Sequence, residues 1–334
     1  MPHLQLKPAK MVSLVTGGAG FLGSHLVDRL LRDGNDVIIV DNLSTGNLSN
    51  IEAAIQTKRC TFVFCDVAKP ASTLRAELAG GLRGRQLSRI YHLASPASPE
   101  AYGNAPWETM AVNSVGTMSL IDAALEHGAR FLYASTSEIY GDPLVHPQPE
   151  MYFGNVDPIG ERACYDEGKR FGEAAVSVAA RSRGLDARIV RFFNCYGPRL
   201  SPADGRLIPA LHQASSTNRP LPIHGTGLQT RSMTYVADAI DLLTLIMERS
   251  FAKLQPVNIG SDDERSVLEI AETFARVAGI ELIIENLPAR PSDPQRRKPD
   301  LQLARSLGWA PATTLEDGLR ATLDWLQFVS PAYV

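Results

Sequence analysis

Val12-Ser13-Leu14-Val15-Thr16-Gly17-Gly18-Ala19-Gly20-Phe21-Leu22-Gly23-Ser24-His25 is the stretch that decides the fold. Its first five residues form a short apolar run that ends in glycines, the signal of a buried strand. Phe21, Leu22, His25, Leu26, Arg29 and Leu30 then recur at helical spacing through Arg32, and Val37–Val40 is a second short run rich in β-branched residues. Strand, glycine-rich turn, helix and strand therefore follow within one short segment. Glycine allows the tight turn and lets backbone N–H groups approach a pyrophosphate, and the helix N-terminus adds about half a positive charge.

Outward from this unit the rhythm continues. Strands are expected at Thr61–Cys65, Arg89–Leu93, Arg130–Ser135 and Arg188–Phe192, with helices near Trp107–Glu126 and Cys164–Ser182. Alternation of this kind gives an α/β fold, a Rossmann-type doubly wound parallel sheet covered on both faces. After Asn194 prolines and glycines interrupt the pattern, and helices are expected at Leu207–Ala214, Val236–Arg249 and Val267–Ala278, mostly in a smaller α/β lobe. The expected division is a dinucleotide-binding domain over 11–193 with a return at 234–262, and a substrate-binding lobe over 194–233 and 263–330. Met1–Lys10 lacks periodicity and reads as a loose arm. The cleft between the two lobes is the natural binding site.

Composition narrows the function. Of 334 residues 44% are apolar and 21% charged, which separates the chain from disordered sequences and suits one large domain plus a smaller lobe. With 33 basic and 36 acidic residues the net charge is −3 and there is no basic stripe, so nucleic acid is not an expected partner. Cys60, Cys65, Cys164 and Cys195 show neither a C-x-x-C pair nor a disulfide framework, and no stretch is apolar for long enough to span a membrane. These features, with no secretory pattern at the N-terminus, lead us to expect a cytoplasmic protein without membrane anchorage. The histidines His25, His146 and His224 do not cluster at ligand spacing, so no metal is expected. His92, on an apolar strand, reads as a hydrogen-bonded core residue.

The glycines Gly17, Gly20 and Gly23 are spaced G-x-x-G-x-x-G. Asp41 ends the second strand, where a carboxylate can accept hydrogen bonds from an adenosine ribose and would repel a 2′-phosphate. Asn42–Asn50 contains neither Lys nor Arg to offset that repulsion, so NAD is favoured over NADP. Asp66 can receive the adenine amino group or simply cap a turn. Tyr165 and Lys169, at i and i+4, share one helix face, and Ser135-Thr136-Ser137-Glu138 ends another expected strand. A phenol with an ordinary pKa near ~10 needs a neighbouring ammonium and a nicotinamide cation to act as a base at neutral pH.

Together these motifs resemble the extended short-chain dehydrogenase/reductases that act on nucleotide sugars, from Met11 to about Leu326. Within that family the strings Thr16–His25, Tyr91-His92-Leu93-Ala94-Ser95-Pro96-Ala97-Ser98-Pro99, Ser135–Pro143 and Arg162-Ala163-Cys164-Tyr165-Asp166-Glu167-Gly168-Lys169-Arg170 look like those of the UDP-glucuronate decarboxylase branch. Gln229-Thr230-Arg231 and Arg296-Arg297-Lys298-Pro299-Asp300 extend the likeness, whereas Cys195-Tyr196 and Leu200 depart from it.

The resemblance implies a cycle on UDP-glucuronate. Hydride passes from sugar C4 to bound NAD, the ketone at C4 makes loss of the C5 carboxylate easy, C5 is protonated, and hydride returns to give UDP-xylose. It implies that Tyr165 deprotonates the C4 hydroxyl, Lys169 lowers the Tyr165 pKa and holds the nicotinamide ribose, Thr136 hydrogen-bonds the C4 oxygen, and Glu138 organises protonation at C5. It places cofactor contacts at Gly17, Gly20, Phe21, Leu22, Gly23, Asp41, Asn42, Asp66, Val67, Leu93, Tyr165 and Lys169. Substrate contacts are expected at Asn194, Arg206, Arg231 and Arg297, with Arg231 for the diphosphate and Arg297 for the sugar end. The bland reading of Arg296–Lys298 is a solvated basic run. Ser137 stands where the 4,6-dehydratases carry the Asp that protonates the departing hydroxyl, which disfavours dehydration. A UDP-glucuronate 4-epimerase or a related nucleotide-sugar dehydratase is the alternative enzyme, and an NAD-binding regulator without turnover the contrasting class. Family analogy also implies a homodimer through the helices around Trp107–Glu126 and Cys164–Ser182.

Overall fold

The computed structural model describes residues 11–251, 254–289 and 295–328. The arm expected at Met1–Lys10 lies outside the described residues, as do 252–253, 290–294 and 329–330 of the expected domain spans. The opening segment forms β1 (Val12–Thr16), α1 (Phe21–Arg32) and β2 (Asp36–Asp41). Side chains alternate between two buried faces. Leu14, Ile38 and Val40 pack into one apolar cluster, whereas Val15, Val37 and Ile39 pack into another with Leu26 and Leu30 of α1. A strand with both faces covered reads as a continuous apolar run, which is why these strands were legible.

The chain continues through α2 (Glu52–Gln56), β3 (Cys60–Phe64), α3 (Ala71–Leu82), β4 (Arg89–His92), α4 (Pro99–Asn104) and α5 (Pro106–Ala111). It then forms α6 (Thr117–His127), β5 (Arg130–Thr136), α7 (Ala163–Arg183) and β6 (Ala187–Phe192). The helix expected over Trp107–Glu126 is interrupted, because a π-helical turn at Val112–Gly116 separates α5 from α6. Asn113 in that turn donates to Thr109 O and to Ser95 Oγ, both at 2.9 Å. Gly116 approaches Val67 so closely that a Cβ would lie 3.2 Å from its Cγ2. The extra residue in the turn thus serves side-chain and packing contacts that helical periodicity cannot report.

The second half forms β7 (Cys195–Tyr196), α8 (Leu207–Ser216), β8 (Leu221–His224), β9 (Thr230–Ser232), β10 (Thr234–Tyr235), α9 (Val236–Glu248) and β11 (Pro256–Ile259). β12 (Glu264–Ser266), α10 (Val267–Ala278), β13 (Ile284–Leu287), β14 (Arg296–Arg297), α11 (Gln302–Ser306) and α12 (Leu315–Phe328) follow. The main sheet has seven strands in the order β11-β6-β5-β4-β1-β2-β3, all parallel. α9 buries Ile240, Leu243 and Ile246 in the same cluster as α1, so α9 and β11 return to this sheet after the first visit to the smaller lobe. That lobe has its own core, in which Ile208 and Leu211 of α8, Ile223 of β8, Ile270 and Phe274 of α10 and Leu319 of α12 meet Tyr196. α10 starts at a capping box, Ser266 accepting from Glu269 N while Glu269 accepts from Ser266 N.

Candidate functional site

One cavity of about 970 Å³ runs along the carboxyl ends of the strands and into the smaller lobe, near the upper end of the ~300–1,000 Å³ common for ligand sites. Every residue anticipated as a cofactor or substrate contact lies on its wall. At one end α1 points its N-terminus into the cavity. Gly20 is extended at the N-cap with no side-chain cap, so the first-turn N–H groups at Phe21, Leu22 and Gly23 have no intrahelical acceptor. Gly17 has φ +70°, and a Cβ there would meet the Ala94 backbone at 2.8 Å. At Gly23 a Cβ would stand 2.0 Å from Gly17 O. The loop can close this tightly only with glycine at both positions, and the result is a cradle for a pyrophosphate.

Asp41 closes this end. Its Oδ2 accepts from Ala19 N at 2.9 Å and its Oδ1 from Leu43 N at 2.8 Å, which aims the carboxylate into the cavity. Burial pushes its pKa up while these two N–H groups pull it back. Asn42 accepts from Ser44 N at 3.0 Å. Asp66 accepts from Ala68 N at 2.8 Å, so it caps a turn while also facing the cavity beside Val67. The glycine cradle, the uncapped helix end and the oriented carboxylate fit an adenine dinucleotide. The rim residues Ser44, Thr45, Gly46 and Asn47 belong to the Asn42–Asn50 loop, which the sequence marks only by its lack of Lys and Arg because a polar loop carries no period.

Midway, α7 presents Tyr165 and Lys169 beside the end of β5. Lys169 Nζ donates to Ala134 O at 2.8 Å and lies over the rings of Tyr133 and Tyr165, at 5.2 and 5.8 Å from their centroids. Burial lowers the Lys169 ammonium to about 7, with Glu173 opposing. Burial raises the Tyr165 phenol to about 12, opposed by a hydrogen bond with Thr136 and by Arg206, and assisted by the charge of Glu138. Thr136 Oγ1 also accepts from Glu138 N at 3.2 Å, which caps the 3-10 turn Ser137–Tyr140. Tyr102 of α4 stacks on Tyr165, with ring centroids 5.0 Å apart and planes 9° from parallel. No local signal in the sequence marked it, since the two residues come from separate helices.

His92 is fully buried next to this centre, and burial followed by the charge of Lys169 lowers it to about 3. Thr117 Oγ1 donates to Asn113 O, so it accepts from His92 Nε2 at 3.1 Å, and Nδ1 in turn accepts from Thr16 Oγ1 at 2.8 Å. The imidazole is a neutral structural link, and no base.

At the far end Glu138 meets two arginines. Arg297 grips it with paired bonds, Nη1 to Oε1 at 2.6 Å and Nη2 to Oε2 at 2.9 Å, and Arg162 Nη2 pairs with Oε2. Burial pushes the Glu138 pKa up, but Arg297 and Arg162 hold it below its ordinary range. Asp166 is pushed up by burial and by the charge of Glu138. Asn194 Oδ1 accepts from Arg297 Nη1 at 3.5 Å, and Arg206 pairs with Asp204. Arg231 is buried and its charge is felt at Glu138. Arg297, read as a contact for the sugar end, is therefore joined to Glu138, and the Arg296–Lys298 run is solvated only in part. Arg162 is a residue that no spacing argument singles out in the sequence; its place three residues before Tyr165 is the one local signal for it.

The chain belongs to the NAD dependent epimerase/dehydratase family, which it matches over residues 13–260. Within that class it is 41% identical over 313 residues to UDP-glucuronic acid decarboxylase 1 of Danio rerio, covering 93% of this chain and 72% of that one. UDP-glucuronic acid decarboxylase 3 of Arabidopsis thaliana is 42% identical over 308 residues, 92% of this chain and 86% of that protein. Among solved structures, the UDP-glucuronic acid 4-epimerase of Bacillus cereus in complex with UDP-glucuronic acid and NAD superposes with a TM-score of 0.83 at 27% identity, covering 95% of this chain and 99% of its own.

Proposed function

We infer that the chain is an NAD-dependent carboxy-lyase that converts UDP-glucuronate to UDP-xylose through a UDP-4-keto-pentose. The observation that carries the reading is the Glu138–Arg297–Arg162 cluster beside Tyr165 and Thr136, in a chain about 41% identical to UDP-glucuronic acid decarboxylases over 313 residues. An ionised glutamate held by two guanidiniums is not the free acid that dehydration needs, and Ser137 beside it cannot supply one. NAD, when bound, supplies a reversible hydride acceptor at sugar C4 and a positive charge beside the Tyr165 phenol.

The side chains divide the remaining work. Tyr165 as phenolate takes the C4 hydroxyl proton, and Thr136 holds the C4 oxygen. Lys169 keeps an N–H donor and a partial positive charge near the phenol. With a ketone at C4, the C5–carboxylate bond breaks, carbon dioxide departs, and the electron pair moves to the C4 oxygen as an enolate. Thr136 stabilises that oxygen, and Glu138 with Arg297 organises delivery of a proton to C5. Tyr165 then returns its proton to the C4 oxygen. Arg231, Arg206 and Asn194 offer donors to the diphosphate and the sugar.

Tyr165→Phe tests the assignment, because it retains the ring stacked on Tyr102 and removes the base. Carbon dioxide release from UDP-glucuronate should fall by about 10²–10⁴-fold with NAD and UDP-glucuronate binding nearly intact. Turnover at the wild-type rate refutes it. Formation of the 4-epimer of UDP-glucuronate without carbon dioxide would favour the epimerase reading.

A homodimer in a reducing, cytoplasmic compartment completes the reading. Trp107 at 78% exposure, Met110, Val115 and Met118 line the open side of α5, the π turn and α6, while Phe171 and Val178 line that of α7. These helices pack side by side, so their apolar outer faces offer one half of a four-helix bundle to a second copy. The four cysteines remain free thiols, in keeping with a reducing compartment.

A further inference from the structure

Asn258 lies on β11, at the edge of the main sheet, and is 0% exposed. Its Oδ1 accepts from Tyr140 Oη at 2.8 Å, and its Nδ2 donates to Gln148 O at 2.9 Å and to Asp300 O at 3.2 Å. Its backbone N–H donates to Glu150 Oε1 at 3.0 Å. Both amide protons and the amide oxygen are thus engaged, and none of these atoms belongs to the cavity wall.

Each partner leads to one half of the ion pair at the sugar end. Tyr140 closes the 3-10 turn that carries Glu138, and its oxygen accepts from Arg191 Nη1 at 2.9 Å. Arg191 is itself fixed by Glu173 through bonds of 2.8 and 2.7 Å. On the other side, Gln148 brackets the residue after Arg297. Its N donates to Lys298 O at 2.9 Å, its Oε1 accepts from Lys298 N at 2.8 Å, and its carbonyl accepts from Asp300 N at 2.9 Å. Glu138 and Arg297 stand 159 positions apart in the chain, and Asn258 bonds to both supporting segments.

We propose that Asn258 is a positioning residue that sets Glu138 and Arg297 in register with each other, and thereby governs how much UDP-4-keto-pentose is carried through to UDP-xylose instead of being released. The proposal rests on the decarboxylase reading above. A displacement of about 1 Å in reacting groups costs on the order of 100-fold in rate, so loss of one central amide reaches the chemistry without touching the substrate.

The test uses the holoenzyme, UDP-glucuronate as substrate, and the variants Asn258→Ala, Asn258→Asp and Tyr140→Phe. Carbon dioxide, UDP-xylose and UDP-4-keto-pentose are quantified together, beside melting curves and NAD titrations. In Asn258→Ala and Asn258→Asp the ratio of UDP-4-keto-pentose to UDP-xylose should rise about tenfold or more, with NAD affinity unchanged. Tyr140→Phe keeps the buried ring and the Asn258 bonds to Gln148 and Asp300, and it should raise the ratio in the same direction, which covers the case that the asparagine variants fail to fold. A merely structural role would lower the melting temperature and leave the ratio where it was. An unchanged ratio in folded variants of an active enzyme overturns this proposal alone, whereas a wild-type enzyme that releases no carbon dioxide overturns the functional reading and this proposal with it.

Discussion

Replacing Lys169 with methionine should flatten the pH dependence of stability by a calculable amount. Lys169 is 3% exposed, and burial lowers its ammonium from 10.5 to about 7. Between those two values the unfolded chain holds the proton and the folded chain has released it, so stability rises with pH. From about pH 7 to about pH 9 the unfolded lysine stays protonated while the folded one loses the rest of its charge. Integrating the difference at ~1.36 kcal/mol per unit gives a gain of about 2 kcal/mol. The opposing groups set in at the upper edge of this window. Burial raises Cys60 and Cys195 to about 12 and Tyr165 likewise, so these groups ionise first in the unfolded chain and lower stability only as pH climbs past their ordinary values. Cys60, Cys195 and Tyr165 remain in Lys169→Met and cancel in the comparison. His92, lowered to about 3 by burial and in part by the charge of Lys169, acts below the window. Urea unfolding of nucleotide-free protein at intervals across the window should show wild type gaining about 2 kcal/mol more than the variant. Parallel curves would refute the claim that Lys169 is driven toward neutrality by burial.

Asp41→Ala should weaken NAD binding about 10–100-fold by removing a charged acceptor and should narrow the preference for NAD over NADP; equal affinities of the wild type for both, by calorimetry, would remove the argument. Gly23→Ala puts a Cβ 2.0 Å from Gly17 O, so NAD titration should show affinity reduced by at least about tenfold while the Tyr165–Lys169 pair is untouched. Phe171→Glu with Val178→Glu places charge on the open face of α7 and should convert a dimer to monomer in sedimentation at micromolar concentration. A wild type that sediments only as monomer ends that reading.

The parts of the molecule that could be read from the chain are those whose physics is local. β1, α1 and β2 follow from a few residues of period and a run of glycines, and α10 follows from an apolar stripe and the Ser266–Glu269 capping box. α3 carries Leu74, Leu78 and Leu82 at i+4, but Gly80 and Gly81 dilute the stripe, so its periodicity does not stand out in the sequence. The short strands of the smaller lobe were illegible for a different reason. β9 pairs with β12 and β14, and β8 with β13, across dozens of residues, and each strand is too short to show a period of its own.

The site divides along the same line. Gly17, Asp41, Tyr165 and Lys169 sit in motifs whose geometry is set within one turn or one strand end. Glu138 acquires its state from Arg297, which arrives from 159 residues away, and from Arg162, which the next helix brings in. A carboxylate in this cavity without those guanidiniums would be driven toward the neutral acid by burial; with them it stays charged. The charge state of Glu138 therefore rests on pairings between segments far apart in the chain, and the buried amide of Asn258 on β11 bonds to Tyr140 on one side and to Gln148 and Asp300 on the other.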